Sequence, residues 1–125
     1  MPVPDSEARL LPRSRKIKQG RDFARARIHG ERMAKGCLAV NWYALPEGAH
    51  SRVGVITSKR LGKAVQRNRA RRLMREAFRL PQEDLRKPLD LILIARQSIA
   101  GKILRDVEND FLTILRRGGL LKKSD

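Results

Sequence analysis

Cysteine is almost absent from this chain: Cys37 is the single one among 125 residues. That excludes an intrachain disulfide and any zinc site built from several cysteines, and it fits a reducing compartment. Histidine is nearly as scarce, with only His29 and His50. General acid–base catalysis by a histidine pair is not expected from one histidine at a predicted helix end and another in a predicted turn. Long apolar runs are missing too. The longest, residues 91–95, falls far short of the ~20 residues that span a bilayer as a helix. The N-terminus, Met1-Pro2-Val3-Pro4-Asp5, places prolines and an acid where an export signal would carry a basic and then an apolar stretch, so the expected location is the cytoplasm. Acidic side chains are the last shortage: 13 Asp and Glu stand against 29 Lys and Arg, for a formal charge of +16.

What is present fits one folded domain. Hydrophobic residues make up 41% of the chain and fall in periodic segments, enough to build a single core at this length. The uncompensated positive charge favours a polyanionic partner. That charge is unevenly placed. Residues 52–79 hold ten basic side chains against one acid, Glu76, while residues 37–51 hold no Lys or Arg and residues 80–125 are near balance at nine against seven.

Along the chain, residues 1–18 carry Pro2, Pro4 and Pro12 among scattered basic residues and are expected to form a flexible basic arm. A short helix is predicted over 21–29, with Gly30 as a left-handed stop. Residues 37–43 and 52–58 read as strands, and the Pro46-Glu47-Gly48 turn between them predicts an antiparallel hairpin. A third strand over 89–96 is apolar at nearly every position, as expected of a central strand covered on both faces. Residues 103–117 repeat Leu104, Val107, Phe111, Ile114 and Leu115 at helical spacing, which predicts a core-packing helix. Gly118-Gly119 ends it, and residues 118–125 are expected to fray.

The helix predicted over 66–79 carries the strongest functional signal. At 100° per residue, Ala70, Leu73, Met74, Ala77 and Phe78 share one side, and Asn68, Arg69, Arg72, Arg75, Glu76 and Arg79 the other. Like charges so spaced repel by roughly tenths of a kcal/mol each, a cost that a bound polyanion removes. Arginine suits such a face because its planar fork can donate two hydrogen bonds to a phosphate and its plane can stack on an unpaired base. The loop upstream, Thr57 to Val65, has a glycine and basic residues but not the P-loop pattern, since Gly62 stands alone and Lys63 is followed by Ala64.

The stretch RVGVITSKRLGKAVQRNRARRLMREAF at residues 52–78, centred on Arg67-Asn68-Arg69, closely resembles the signature of the bacterial ribonuclease P protein subunit. Arg21-Asp22-Phe23, His29-Gly30 and DLILIAR at residues 90–96 extend the resemblance over roughly residues 15–117, with a domain at 19–117. It implies an α+β fold, a single two-layer domain ordered α-β-β-β-α-β-α with a left-handed βαβ crossover. It implies a protein that assists a catalytic RNA in removing the 5′ leader of precursor tRNA, with the magnesium ions and the hydrolysis belonging to the RNA. No catalytic residue, cofactor, metal site, membrane or obligate protein partner is then expected for the protein itself. The residues that match the family's RNA-subunit contacts are Arg67, Asn68, Arg69, Arg71, Arg72 and Arg75. Those that match its leader cleft are Phe23, Arg27, Ser58, Lys59, Lys63 and Arg96. At Arg27 many relatives carry a second aromatic residue, so a stacking pair becomes one ring and one guanidinium. At Ser58 some relatives carry a basic residue.

Other readings of the same residues are blander. Phe23 can serve as ordinary core. Asp106 and Asp110, one helical turn apart, suggest a metal, but Lys102 and Arg105 lie close in sequence and surface ion pairs are expected instead. Cys37 opens an apolar strand and is expected to be a small buried hydrophobe. The rival function is a non-catalytic RNA-binding module, such as a ribosomal protein or RNA chaperone. A helix-in-groove DNA binder lacks the helix-turn-helix spacing, and a peripheral membrane role would need the apolar helix side that the core requires.

Overall fold

The computed structural model describes residues 15–122; residues 1–14, most of the predicted arm, lie outside the described part. The elements are α1 (Gly20–His29), β1 (Glu31–Lys35), β2 (Leu38–Ala44), β3 (Arg52–Ile56), α2 (Ala64–Arg79), β4 (Leu89–Ala95) and α3 (Leu104–Arg117), with 3-10 turns at Lys59–Leu61, Pro81–Asp84 and Gln97–Ile99. No described helix is long and apolar enough to cross a membrane.

The four strands form one sheet in the order β1-β2-β4-β3. This corrects the predicted hairpin of residues 37–43 with 52–58: β2 pairs antiparallel with β1 on one side and β4 on the other, and β3 pairs in parallel with β4, not with β2. The chain after Pro46 therefore skips a place that β4 later fills. A tight turn fixes direction locally but cannot say whether the next strand takes the adjacent slot. The actual hairpin is β1–β2, closed by Gly36 at φ +57°, the glycine-first pattern of the primed turns that match strand twist. From the residues alone β1 is hard to see. In Glu-Arg-Met-Ala-Lys only Met33 reaches the core, so the edge strand has no apolar alternation to reveal it. Its charged side chains are what an open sheet edge needs.

β4 is central, as its composition suggests. Leu89, Leu91, Leu93 and Ala95 face the main core with α2 and α3, where Met74, Phe78, Phe111 and Leu115 are buried. Ile92 faces the opposite side with Ile17 and Ala26. To the sheet-plus-helices pair of layers, α1 thus adds a partial third one.

Several ends differ from expectation for local steric reasons. Gly30 is extended, not left-handed. A Cβ there would collide with the carbonyls of Ala26 and Trp42, so glycine serves close approach of α1 to β2. At the other terminus, Gly119 at φ +69° closes α3, with Leu120 N–H donating to Leu115 O at 2.9 Å and Gly119 N–H to Arg116 O at 3.1 Å. This is the double bond of a Schellman stop. Residues 118–122 pack back on the fold. Leu120 is buried, and Lys122 N–H donates to Asp84 O at 2.7 Å. Ile17 likewise leaves the arm, burying its side chain while its N–H donates to Val53 O at 2.9 Å on the edge of β3.

Candidate nucleic-acid interface

α2 begins two residues before the predicted start because its entry loop is built to launch it. The 3-10 turn Lys59–Leu61 ends at Gly62, whose φ of +113° suits glycine alone. Gln66 then folds its side-chain oxygen back to accept the Lys63 N–H at 2.6 Å, the backward half of a capping box. Lys59, Arg60 and Lys63 are exposed around this entry.

The inner side of α2 buries Ala70, Met74, Ala77 and Phe78. On its outer side Asn68 and Arg72 are exposed, and Arg67, Arg71, Arg75 and Arg79 are half-buried along their stems. Arg71 donates to Asn68 Oδ1 at 2.9 Å. Burial and, after it, repulsion from Arg71 push the Arg75 guanidinium below its ordinary value. The same side also carries Glu76, paired with Arg79 at 3.4 Å. Arg69, expected on the same face, instead swings toward α3 and donates to the Lys102 carbonyl at 2.6 Å.

Of the second set of residues, Phe23 and Arg27 stand on α1, which packs on the other face of the sheet. Phe23 on α1 is half-buried with Ile56 and Ile94 around Ala26 and Ile92, so its ring is partly core and partly surface. Gly54 makes room for it: a Cβ there would land on the Phe23 ring. Arg27, one turn further along α1, is exposed. Because β3 and β4 are parallel with Ile56 opposite Ile94, the following residues, Ser58 and Lys59 after β3 and Arg96 after β4, emerge at one end of the sheet. Arg96 donates to Gly36 O at 3.2 Å and stays exposed. Lys63 stands at this end too, but on the entry to α2, between the two surfaces.

α1 is held in place by charge. Arg52 donates two parallel hydrogen bonds to Asp90, at 2.8 and 2.7 Å, and lies 3.5 Å from Asp22. Arg25 pairs with Asp22 at 2.9 Å, lies 3.6 Å from Asp90 and sits over the Tyr43 ring at 5.1 Å. Asp90 is 0% and Asp22 7% exposed. The Asp90 hydrogen bond, partly opposed by burial, raises the Arg52 guanidinium above its ordinary value. Sequence reasoning assigned this cluster no role, although one acid within the otherwise apolar run of β4 was a usable signal. Asn41 was missed for a similar reason. It lies on the α1 side of β2, 4% exposed, with its side-chain oxygen unpaired.

The remaining candidates have structural work. Asp106 accepts the Ile103 N–H at 3.1 Å at the start of α3, and Asp110 accepts the Cys37 N–H at 2.9 Å, tying α3 to the β1–β2 turn. Both were expected in surface ion pairs; backbone donors are the partners found. Cys37 is buried, and burial first, then Asp110, pushes its thiol up to about 12, so it stays protonated and unreactive. His29 ends α1 and His50 lies in the β2–β3 connection.

The family model for ribonuclease P matches residues 11–119. The chain belongs to the ribonuclease P protein family. Among its relatives, the ribonuclease P protein component of Clostridioides difficile is 36% identical over 107 residues, covering 84% of this chain and 92% of that protein. That of a Geobacillus species is 33% identical over 108 residues, covering 86% and 93%. The solved ribonuclease P protein of Staphylococcus aureus superposes with a TM-score of 0.77 at 30% identity, covering 86% of this chain and 98% of that one. The protein of Thermotoga maritima gives 0.71 at 25%, covering 82% and 96%. Membership makes this chain an RNA-binding component of an endoribonuclease of tRNA processing, working with an RNA subunit.

Proposed function

We propose that this chain docks on the catalytic RNA of ribonuclease P through the outer side of α2 and guides the 5′ leader of precursor tRNA along α1. Arg67, Asn68, Arg69, Arg71, Arg72 and Arg75 address the first RNA. Phe23, Arg27, Ser58, Lys59, Lys63 and Arg96 address the second. The observation that supports the reading is that α2 and α1 lie on opposite faces of one sheet, α2 with an arginine-rich outer side and α1 with the half-buried Phe23 ring. Phosphodiester hydrolysis belongs to the RNA and its magnesium ions, in the cytoplasm. The protein contributes position and charge.

Two polyanions repel as they approach, and a +16 wedge between them lowers that repulsion and the magnesium needed to screen it. A leader contact adds affinity only while the leader is attached, so it favours precursor over the mature product. The test is cleavage of precursor tRNA by the catalytic RNA at low magnesium with and without this protein; no stimulation would sink the proposal. Phe23→Ala is expected to weaken precursor binding by about tenfold, within the roughly 1–3 kcal/mol of one base–aromatic stack. Mature tRNA binding should not change, and an equal loss for both would remove Phe23 from the leader path.

A further inference from the structure

Beside the cationic rail of α2 lies a hollow of a different chemistry. It has a volume of about 350 Å³ and runs between the Lys59–Leu61 turn, the first half of α2 and the segment that follows β4. Leu61, Ala70, Ile99 and Ala100 give it apolar walls; Gln66 and Arg69 are its polar lining. The Arg69 guanidinium is not a free arm here. Its bond to the Lys102 carbonyl at 2.6 Å fixes a flat cation at the wall. Gln66 has its side-chain oxygen committed to the Lys63 N–H, which leaves the amide NH2 as a donor. Exposed Lys59, Arg60, Lys63 and Lys102 stand on the segments that frame the hollow.

We infer that this hollow receives one unpaired nucleobase of the RNA that docks on α2, stacked against Arg69. Phosphate is the wrong occupant, because apolar walls would strip its water without replacing the hydrogen bonds. A flat, weakly hydrated base loses little on entering, gains a guanidinium plane to stack on, and can accept a hydrogen bond from Gln66. The volume is at the lower end for pockets that enclose small ligands, a size for one base and not for a helix. Arg60 and Lys102, which are not assigned to the leader, supply the complement for the flanking phosphates, and the hollow is continuous with the α2 surface through Gln66, Arg69 and Ala70. Arg69 therefore stacks on a base while Arg72 and its neighbours meet phosphates. The inference rests on the RNA-docking role of α2 proposed above.

The test fills the hollow without removing charge. Ala100 is exposed at φ −59° and ψ 129°, a conformation open to any side chain, so Ala100→Leu should fold normally. Binding of the full protein to the catalytic RNA would be measured across a salt series, with chemical probing of unpaired bases, beside Arg69→Lys and Arg72→Ala. For Ala100→Leu and Arg69→Lys the expected result is about tenfold weaker assembly, an unchanged salt slope, and one RNA base losing its protein-dependent protection. Arg72→Ala should instead reduce the salt slope by about one phosphate's worth. Wild-type affinity and protection for Ala100→Leu, with Arg72→Ala weakened, would overturn the base pocket and leave the docking role standing. A reduced slope for Ala100→Leu would also overturn it, by showing a phosphate in the hollow. If Arg72→Ala is unaffected as well, the docking role of α2 falls too.

Discussion

Asp90→Ala is expected to destabilise the protein by about 3–5 kcal/mol, the cost of removing one partner from a buried ion pair. At this chain length that corresponds to a drop in Tm on the order of 10–20 °C. The reason is geometric: Asp90 is fully buried and holds Arg52 through two parallel hydrogen bonds. With Asp90 gone, Arg52 and Arg25 face each other with only Asp22 between them. The Arg52 side chain is 27% exposed and can partly reach water, which favours the lower part of that range. Its pKa is raised by Asp90, so the stability its charge brings is fully present below the ordinary arginine value and is lost as pH rises from there through the raised one. The loss in Asp90→Ala is therefore expected to be flat across neutral pH. Urea or thermal unfolding at two pH values would check both points, and a loss below about 1 kcal/mol, the worth of an exposed pair, would show that the cluster is solvated. Because Phe23 follows Asp22 on α1, the same variant is expected to blunt the preference for precursor over mature tRNA.

The second large effect concerns α2. Replacing Arg67, Arg71 and Arg72 together with alanine is expected to weaken binding to the catalytic RNA on the order of a thousandfold, at about 1.5 kcal/mol for each hydrogen bond to a charged group. The slope of log affinity against log salt should shrink by about two to three, close to 0.9 for each phosphate no longer neutralised. Stability is expected to hold. None of the three is fully buried. Filter binding over a salt series, beside an unfolding curve, separates the two quantities. An unchanged salt slope would take this face out of the RNA interface.

The relation between those two surfaces shows how far local pattern reaches. α2 was legible because its period places the apolar residues on one side without knowledge of the rest of the fold. α3 and the central place of β4 were legible for the same reason, since side-chain spacing and burial on both faces are written in consecutive residues. Helical spacing placed Asn68, Arg69, Arg72 and Arg75 on one side of α2, and the resemblance added Arg67, Arg71 and the leader set. Arg69 turns away from the rail to Lys102, and Lys63 serves the entry of α2. β1 escaped local reading because an edge strand with one inward side chain has almost no pattern to read. The hairpin was misassigned because a turn encodes direction and not strand order.

By itself the sequence determined the charge, the single domain, the faces of α2 and α3, and through its motif the family. Only the tertiary structure decided that β4 separates β2 from β3, and that Asp22, Arg25, Arg52 and Asp90 form one cluster. It also decided that Gly54 and Gly30 leave room for the Phe23 ring and for the close approach of α1 to β2. Periodicity is set by bonds along one chain segment, whereas strand order, buried charge and close approach depend on which distant segments meet. Those are resolved by the joint burial of surfaces that no single segment contains.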